Sequence, residues 1–471
     1  MNALPGIAGL WGLIALYCLL LRSAPFPGVR RSWLIMIVFA ASFQACFAAL
    51  QLTLHFGLSG ARPVGGFLQA NVLGSFLATG LACALWLYLS SGERALRAGA
   101  GTALVILSAS LVLVQSRAAD LGAGLAALLL LWQHRRHGVS WFPPTCLMLT
   151  GISIGLLWLY GGHFFFPDSI PAPVSKSGSN AARLYMLKLT WQLIMAHPLS
   201  GNGYGGFEAL FGQLASVTPP GLEADTVTHP HNELLYAWLE GGITALCGSL
   251  MIAGGVFIQL WRAGGMRMNG LALLLPIVTH MGLEFPLYLS VTHGLVLVML
   301  LIVTGPQYVQ REPSGQSGIF RVRSVHRKAF LCRGLLAIVA GMVVLYMLTG
   351  FISQQRLMQI EKQSLMPFVM DESAALAQLP NHTAIFSRLD FDRHVALLLR
   401  YNRTRDPALL DAFYRWGERY RQTHNDPGVW NSLLMIARTR SGVAARVLCE
   451  DAHGRWPKDP RFVCTAGVAD R

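Results

Sequence analysis

Long apolar segments alternate with short polar turns along most of the chain. Ten such segments lie at residues 3–21, 33–54, 67–90, 98–115, 118–133, 142–162, 232–260, 270–285, 290–306 and 331–350. Because about 20 apolar residues cross the hydrocarbon core of a bilayer as a helix, this pattern predicts about ten transmembrane helices. The fourth and fifth segments can also be read as one broken hairpin, since the turn between them is very short. The sequence therefore predicts an all-α polytopic membrane protein.

The composition favours the same class. The chain has 471 residues, of which 53% are hydrophobic and only 13% charged, and its mean hydropathy is +0.46. Soluble domains carry about 25% charged residues. A formal net charge of +14 would suggest nucleic acid as a partner of a soluble protein, but here most arginines lie in short loops between apolar segments. We therefore interpret the positive charge as a topology signal and expect contacts with membrane lipids and none with nucleic acid.

The basic residues alternate between the two sides of the predicted membrane. Every second gap is basic, and these gaps hold Arg22, Arg30, Arg31, Arg94, Arg97, Arg135, Arg136, Arg262, Arg267 and the basic run from Arg311 to Arg333. Since cytoplasmic loops carry an excess of Lys and Arg, these gaps are predicted to be cytoplasmic. The gaps at 55–66, 115–118, 163–231 and 286–290, with everything after about residue 351, are then predicted to face outward.

This pattern divides the chain into four predicted domains. They are an N-terminal transmembrane bundle (1–162), a large outward-facing loop (163–231), a C-terminal transmembrane bundle (232–350) with a cytoplasmic basic linker (307–330), and an outward-facing helical domain (351–471). Pro and Gly predict irregular chain in the linker. In the last domain, the pairs Asp406-Pro407, Asp426-Pro427 and Asp459-Pro460 each predict an N-cap followed by Pro in the first helical turn.

Two of the eight cysteines, Cys449 and Cys464, lie in this last domain. They could form a disulfide if the domain faces an oxidising compartment, and the sequence leaves that pairing open. The chain has no Cys-x-x-Cys pair, so the cysteine spacing predicts no metal site.

A long polar interruption between the apolar segments ends in His229-Pro-His231-Asn-Glu233, where the chain enters the seventh predicted span. An imidazole titrates near neutral pH and can take a proton from a substrate, so His231 is a candidate general base. Two alternatives stay open. The histidines can serve as a helix cap that bonds only backbone, or as two ligands of a zinc ion, although no neighbouring residues complete a tetrahedral set.

Three arginines, Arg62, Arg117 and Arg183, are predicted to lie at the outer surface of the bilayer. Guanidinium groups in such a position suit the phosphate or pyrophosphate of a lipid-linked substrate. Arg183 opens an amphipathic segment, Leu184 to Met195, that fits a helix on the membrane surface, and there it can equally be an interfacial anchor. Glu284, at the outer end of a span, is expected either to orient an Arg or His or to cap the turn.

Taken together, these residues resemble the bacterial O-antigen ligase superfamily and, within it, the PglL-type O-linked protein oligosaccharyltransferases. The matching parts are Arg62, Gln69-Ala-Asn71, Gln115-Ser-Arg117, Arg183, His197 to Phe207, His229-Pro-His-Asn-Glu-Leu-Leu235 and Glu284-Phe-Pro-Leu287. They occur in the family's order over about half of the membrane region. The resemblance implies a GT-C-like polytopic fold in the bacterial inner membrane, with the active site on the periplasmic side.

The resemblance also implies a reaction. A glycan would move en bloc from undecaprenyl pyrophosphate to Ser or Thr of a periplasmic or pilin-like protein, with inversion and without a metal or other cofactor. His231 is then the expected base, and Arg183, Arg117 and Arg62 are expected to bind the pyrophosphate. The residues expected to orient these groups are His229, Asn232, Asn71, Gln69 and Glu284. Members of the family usually carry further spans before the position of Met1, so the resemblance suggests missing upstream helices or a late start codon.

Rival functions differ mainly in the acceptor. An O-antigen ligase would transfer the glycan to lipid A core, and an O-antigen polymerase would transfer it to a growing polysaccharide. The long tail, 351–471, is typical of the protein-glycosylating branch and favours a protein acceptor. A transporter or lipid flippase would place its charges midway along spans in two related halves. Here the candidate residues cluster on one predicted face instead.

Overall fold

A computed structural model of the chain describes residues 4–23, 27–54, 58–59, 62–67, 69–161, 177–218, 227–305 and 319–464. The predicted loop residues 163–176 and the first part of the predicted linker, 307–318, lie outside the described residues. The described part is almost entirely α-helical. Its β-structure is a two-residue antiparallel pair, β1 (Leu58–Ser59) with β2 (Arg62–Pro63).

The helices are numbered in chain order. Those of the first half are α1 (Leu4–Ser23), α2 (Pro27–Leu54), α3 (Ala70–Ser90), α4 (Arg94–Val114), α5 (Arg117–Arg136) and α6 (Phe142–Leu156), which continues into a π-helical turn (Leu157–Gly161). The next are α7 (Ser177–Ala196), α8 (Phe207–Val217), α9 (Glu233–Arg262), α10 (Arg267–Leu283), α11 (Pro286–Leu289) and α12 (Val291–Thr304). The last are α13 (Ile319–Lys362), α14 (Met366–Met370), α15 (Glu372–Ala377), α16 (Phe386–Thr404), α17 (Pro407–Tyr420), α18 (Pro427–Arg438) and α19 (Gly442–Arg455). Two 3₁₀ turns lie at Gly264–Met266 and Pro460–Phe462.

Several helices have the length and apolar composition of membrane spans. Five meet both criteria within the described residues, namely Gly28–Leu54, Ala70–Ser90, Arg94–Val114, Phe142–Gly161 and Glu233–Arg262. Two shorter apolar helices cover Gly9–Leu21 and Val291–Thr304. The architecture is therefore that of an all-α membrane protein, as the hydropathy pattern predicts, whereas the number of ten spans stays a prediction.

The bundle is built around α3, which is buried on nearly all sides by α2, α4, α5 and α10. Small residues let these helices approach closely. A Cβ at Gly74 of α3 would lie 2.9 Å from the Cβ atoms of Ser116 and Ala119, and one at Gly122 of α5 would lie 2.8 Å from Cα of Pro276 in α10. Such contacts at small residues are the usual basis of helix association in a membrane, where lipid offers no hydrophobic driving force.

The glycine-rich stretch after His197 packs against a kink in α9. Gly242 interrupts that helix with φ 63° and ψ −158°. The amide of Gly203 donates to the carbonyl of Glu240 over 3.0 Å, and the amide of Ile243 donates to the carbonyl of Leu199 over 3.2 Å. A Cβ at Gly201 or Gly242 would overlap the facing backbone, so both positions require glycine. Helices α7 and α8, which we call the arm, are thus joined to α9 by backbone hydrogen bonds of this stretch.

The linker before the tail differs from its prediction, whereas the helix starts within the tail agree with theirs. Helix α13 begins at Ile319 and continues to Lys362, so the second half of the predicted irregular linker is helical. We attribute this to the apolar and Arg-rich sequence after the last Gly, which has good helix propensity. The three predicted N-caps are confirmed, because the carboxylates of Asp406, Asp426 and Asp459 accept from the backbone amides of their first helical turns.

The tail is closed by a disulfide and packs on the arm. Cys449 and Cys464 are bonded, which decides the pairing that the sequence leaves open. The carboxylate of Glu208 in α8 accepts from the amide of Asn425 over 2.7 Å and lies 3.1 Å from Nδ1 of His424. The hydroxyl of Tyr185 in α7 donates to the carbonyl of Thr218 over 2.6 Å, which ties the end of α8 to the helix that carries Arg183. The tail is thus in contact with the arm that carries a candidate site residue.

Candidate active site

Glu284 lies at the centre of a polar cluster at one end of the bundle. It follows the last residue of α10, and Pro286 begins the next helix, so the chain turns there with the carboxylate pointing into the protein. The side chain is only 3% exposed. One oxygen, Oε1, accepts from Nη2 of Arg183 over 2.8 Å and from Nδ2 of Asn71, and the other lies 3.1 Å from Nε2 of His280. A carboxylate buried so deeply is stable only when paired in this way.

Arg62 joins the same cluster through Asn71. Its Nη1 donates to Oδ1 of Asn71 over 3.1 Å, while the amide nitrogen of that side chain donates to Glu284. The backbone after Arg62 is fixed by Gln51 of α2, whose Oε1 accepts from the amides of Val64 and Gly65. Burial lowers the pKa of Arg62, the nearby carboxylate of Glu284 opposes this, and the charge of Arg183 adds to the lowering. The guanidinium stays charged, because an arginine side chain is effectively always protonated in a protein.

The cluster carries more positive than negative charge. The guanidiniums of Arg62 and Arg183 share one carboxylate, that of Glu284, so a positive charge is left over. The Arg183 side chain is 28% exposed, and each guanidinium uses only one of its five donors in the described contacts. This arrangement can bind an anion that reaches the end of the bundle.

His231 lies beside this cluster at the start of α9. It adopts a left-handed backbone conformation, with φ 55°. The next residue, Asn232, caps the helix by accepting from the amide of Leu235 over 2.9 Å, and its Nδ2 donates to the carbonyl of Gly282 over 2.9 Å. The imidazole is thereby fixed against the end of α10, where its ring meets the edge of Phe285 at 5.6 Å between centroids.

The His231 imidazole has the properties of a base. Its Nδ1 is buried and has no hydrogen-bond partner among the described residues. Burial lowers the pKa of His231, Glu284 raises it, and the charges of Arg183 and His280 lower it further. The ring is therefore neutral at pH 7 and able to accept a proton. A non-glycine residue at positive φ is uncommon and is often found where a site fixes its geometry.

His229 is held mainly by aromatic contacts. Its ring stacks on Phe285 at 4.1 Å between centroids with an interplanar angle of 16°, and its Nδ1 lies 3.0 Å from the hydroxyl of Thr228. Burial lowers the pKa of His229 to about 4, with a smaller contribution from His231. His229 is thus neutral at pH 7 and shares Phe285 with His231 as a support.

Two predicted site residues are not joined to the cluster. Arg117 is exposed at the first residue of α5, and Gln69 is exposed immediately before α3. Neither makes a hydrogen bond or ion pair with Glu284, Arg62 or Arg183 in the described part of the chain. Arg117 nevertheless lies at the same end of the bundle, since the adjoining Ser116 contacts Gly74 one turn into α3.

Sequence reasoning missed several polar residues of this region. His280 is completely buried and contacts Glu284 from one helical turn upstream, and the i, i+4 spacing could have indicated it. A second buried group lies deeper, where Nε2 of His293 is 2.6 Å from the hydroxyl of Ser75 and Nδ1 is 2.9 Å from that of Ser290. Ser290 and His293 are joined locally at the start of α12, whereas Ser75 reaches them only where α3 meets α12, and no spacing in the sequence indicates that contact.

Fold and site together define a polytopic α-helical membrane protein with a cationic cluster beside a neutral imidazole. Residues 102–250 match the family model described as O-antigen ligase. Residues 268–435 match the family model described as virulence factor membrane-bound polymerase, C-terminal. The first match contains Arg117, Arg183 and His231, and the second contains Glu284. No curated protein is a significant match to this chain.

The chain is thus similar to an O-antigen ligase family in one region and to a membrane-bound polymerase family in another, while Arg62 and Asn71 lie before the first match. Neither match alone covers half of the chain. Among the residues that the structure describes, no group of three or more His, Cys, Asp and Glu side chains is arranged to hold a metal ion.

Proposed function

We propose that this protein is an O-linked oligosaccharyltransferase of the inner membrane. It moves a glycan en bloc from undecaprenyl pyrophosphate to Ser or Thr of a periplasmic or pilin-like protein. The observation that carries the proposal is the placement of Arg62 and Arg183, fixed by Asn71 and Glu284, directly beside the neutral imidazole of His231. The similarity to the O-antigen ligase family supports glycosyl transfer as the reaction class.

Arg183 and Arg62 bind the pyrophosphate in this proposal, with Arg117 reaching it from the start of α5. Negative charge grows on the pyrophosphate oxygen as the glycosyl bond breaks. Cations fixed in advance by Glu284 and Asn71 therefore stabilise the transition state more than the ground state. Glu284 also keeps the guanidiniums close together without cancelling their charge, because it supplies only one negative charge for two positive ones.

His231 activates the acceptor. Its imidazole takes the proton of the Ser or Thr hydroxyl while the hydroxyl oxygen attacks the anomeric carbon, and the bond from that carbon to the pyrophosphate oxygen breaks. Undecaprenyl pyrophosphate leaves, and a single displacement inverts the anomeric configuration. General base catalysis of this kind contributes about 10²–10⁴-fold. Asn232 and His229 keep the imidazole in position through Gly282 and Phe285.

Two features of the tail support a protein acceptor outside the cytoplasm. The Cys449–Cys464 disulfide fits an oxidising compartment such as the periplasm. The contact of Glu208 with His424 and Asn425 brings the helical tail against the arm that carries Arg183. A protein that docks on the tail would therefore have its Ser or Thr residues near the proposed base.

A second candidate function is favoured by the match over 268–435, whose description names a polymerase. In that case the same arginines and the same base act on a hydroxyl of a growing polysaccharide. An O-antigen ligase would use them on lipid A core. The three functions share the donor chemistry and differ only in the hydroxyl that reaches His231.

The experiment that separates them supplies all three acceptors. The chain is produced in cells that make a lipid-linked glycan but lack their own ligase, polymerase and oligosaccharyltransferase, with a pilin and lipid A core present. Mass spectrometry of the pilin, the lipid A and the polysaccharide shows which one receives glycan. We expect glycan on the pilin, lost in His231→Ala and retained in His137→Ala at the other end of α5. Glycan found only on lipid A would overturn the proposed function in favour of an O-antigen ligase. Glycan found only on the polysaccharide would overturn it in favour of a polymerase.

A further inference from the structure

An aromatic surface lies beside His231. The proposed mechanism uses two of its rings, His229 and Phe285, to hold that imidazole in place and gives its tyrosines no role. We name it the aromatic shelf and define it by His229, Tyr236, Phe285 and Tyr288, with Tyr204 at its edge. Tyr236 and Tyr288 lie 5.9 Å apart between centroids, and each approaches His229, at 4.9 Å and 5.7 Å respectively. The shelf is therefore one continuous cluster rather than a set of separate rings.

The aromatic shelf is partly exposed and is not simply part of the core. Tyr288 is 62% exposed and Tyr204 is 71% exposed, while Phe285 and His229 beneath them are partly buried. Tyr204 belongs to the glycine-rich stretch that is bonded to α9, and its hydroxyl lies close to Gly241. The backbone before Tyr204 is thus bonded to α9, and the amide of Tyr288 donates to the carbonyl of Phe285 over 3.2 Å.

Carboxylates border the shelf on one side. Glu240 accepts from the amide of Gly205 over 2.8 Å and from the hydroxyl of Tyr236. Glu233 is close to Tyr288, and its described hydrogen bond is a long one, 3.4 Å from the amide of Leu287. Its carboxylate therefore retains acceptor capacity for further hydroxyl groups.

We infer that the aromatic shelf binds a pyranose ring of the glycan substrate, with the apolar face of the sugar on Tyr288 and Tyr204 and a sugar hydroxyl donating to Glu233. Aromatic faces combined with a few fixed polar groups are the general means by which proteins bind ligands that are apolar on one face and polar at the edge. The shelf adjoins the base through Phe285, which contacts both His229 and His231. A sugar bound there is continuous with the reacting centre.

This inference rests on the proposed function, and its test separates the two. Two probes are used with the full chain in lipid nanodiscs: undecaprenyl pyrophosphate, and the same lipid carrying one N-acetylhexosamine. The Kd of each is measured for the native chain, Tyr288→Leu, Tyr288→Phe, and Tyr160→Leu as the matched control. Tyr160 is 65% exposed and belongs to the turn after α6, outside the shelf.

We expect Tyr288→Leu to weaken binding of the sugar-bearing lipid by about three- to tenfold, the range for loss of one aromatic contact, and to leave undecaprenyl pyrophosphate unchanged. Tyr288→Phe and Tyr160→Leu should behave as the native chain, since the first keeps the ring and the second lies elsewhere. If Tyr288→Leu bound the sugar-bearing lipid with the same Kd as the native chain, the aromatic shelf would not be a sugar site. Failure of the native chain to bind either probe would overturn the proposed function, and the sugar site with it.

Discussion

The two ends of the helix bundle hold their arginines in different ways. At the end where α2 begins, Arg30 donates to the carbonyl of Gly305 over 2.9 Å, and Arg97 donates to that of Ser91 over 2.6 Å. These are contacts to the carbonyls of the residues that follow α12 and α3, where a cation is favoured by the helix dipole. At the other end, Arg62 and Arg183 are bonded to side chains instead.

The difference shows which cations are available for a ligand. A guanidinium that caps a helix is part of the fold, and its charge is complemented by the backbone. Arg62 and Arg183 meet a single carboxylate and an amide, which orient them and leave charge to spare. The pair of Arg31 with Glu93 at the first end is an exposed ion pair, of the kind that contributes little to stability. In the proposed function, ligand binding thus falls to the end with Arg62 and Arg183, whereas the arginines at the first end complete the fold.

The comparison is tested most strongly by removing one arginine from each end. Arg183→Ala should lower the rate of glycan transfer by about 10²–10³-fold, the usual loss when one fixed donor to a developing charge is removed. Arg31→Ala should change it by less than about twofold, since that pair is exposed. Transfer is measured with purified protein in nanodiscs and a lipid-linked donor. Similar changes of the rate in the two variants would contradict a role of the Arg183 charge in transfer beyond that of an exposed ion pair.

The next largest effect concerns the carboxylate that joins the arginines. Glu284→Gln keeps the shape and removes the charge that orients Arg183, so we expect about a tenfold loss of transfer. The double variant with Arg183→Ala should be no worse than Arg183→Ala alone, because residues that act as a unit are not additive. Glu93→Gln is the matched control at the other end. Additive losses would show that Glu284 acts independently of Arg183.

The pH dependence of transfer gives a third, smaller effect with a defined sign. His231 works as a base when neutral, so transfer is constant above its pKa and falls below it. Burial lowers this pKa, and the acid limb should lie below that of an ordinary histidine, about 6.5. Because Glu284 raises the pKa of His231 and Arg183 lowers it, Glu284→Gln should move the acid limb to lower pH, and Arg183→Ala should move it to higher pH.

The profile of kcat/KM is measured between about pH 4 and pH 8 for the native chain and both variants. Lys188→Ala, a change of charge on the same helix as Arg183, serves as the control and should leave the limb in place. Shifts in the same direction for Glu284→Gln and Arg183→Ala would exclude His231 as the group that titrates.

The sequence predicts the class of fold and several members of the cluster for a simple physical reason. Membrane spans are recognised by their length and hydropathy. Ionisable and polar residues near the ends of spans are rare and often functional, so Arg62, Asn71, Arg183 and Glu284 can be predicted as candidates. Their roles at the site stay predictions. What the sequence does not contain is their connectivity, since Asn71 meets Glu284 only through the packing of α3 against α10.

Other features depend on contacts between distant segments. Completely buried histidines such as His280 and His293 look like ordinary members of apolar helices, because burial follows from the neighbours and not from the local pattern. The contact of Glu208 with His424 joins residues far apart in the chain, and neither lies in a recognisable motif. The predicted linker is helical from Ile319 onward because its Pro and Gly residues all lie before that position.

The smallest predicted effect concerns the contact of Glu208 with His424, which joins the tail to the arm that carries Arg183. Glu208→Gln keeps one acceptor oxygen but loses the charge that faces His424, and a hydrogen bond of this kind contributes about 1 kcal/mol net. We expect amide exchange in α8 and around Asn425 to rise by about fivefold, with a loss of transfer of about twofold. Glu418→Gln, which affects only the i, i+3 pair with Arg421 inside the tail, is the control. Faster amide exchange in α8 with an unchanged rate of transfer would show that the tail docks on the arm without helping to position Arg183. The difference between the two ends of the bundle would then depend only on contacts within the bundle and the arm.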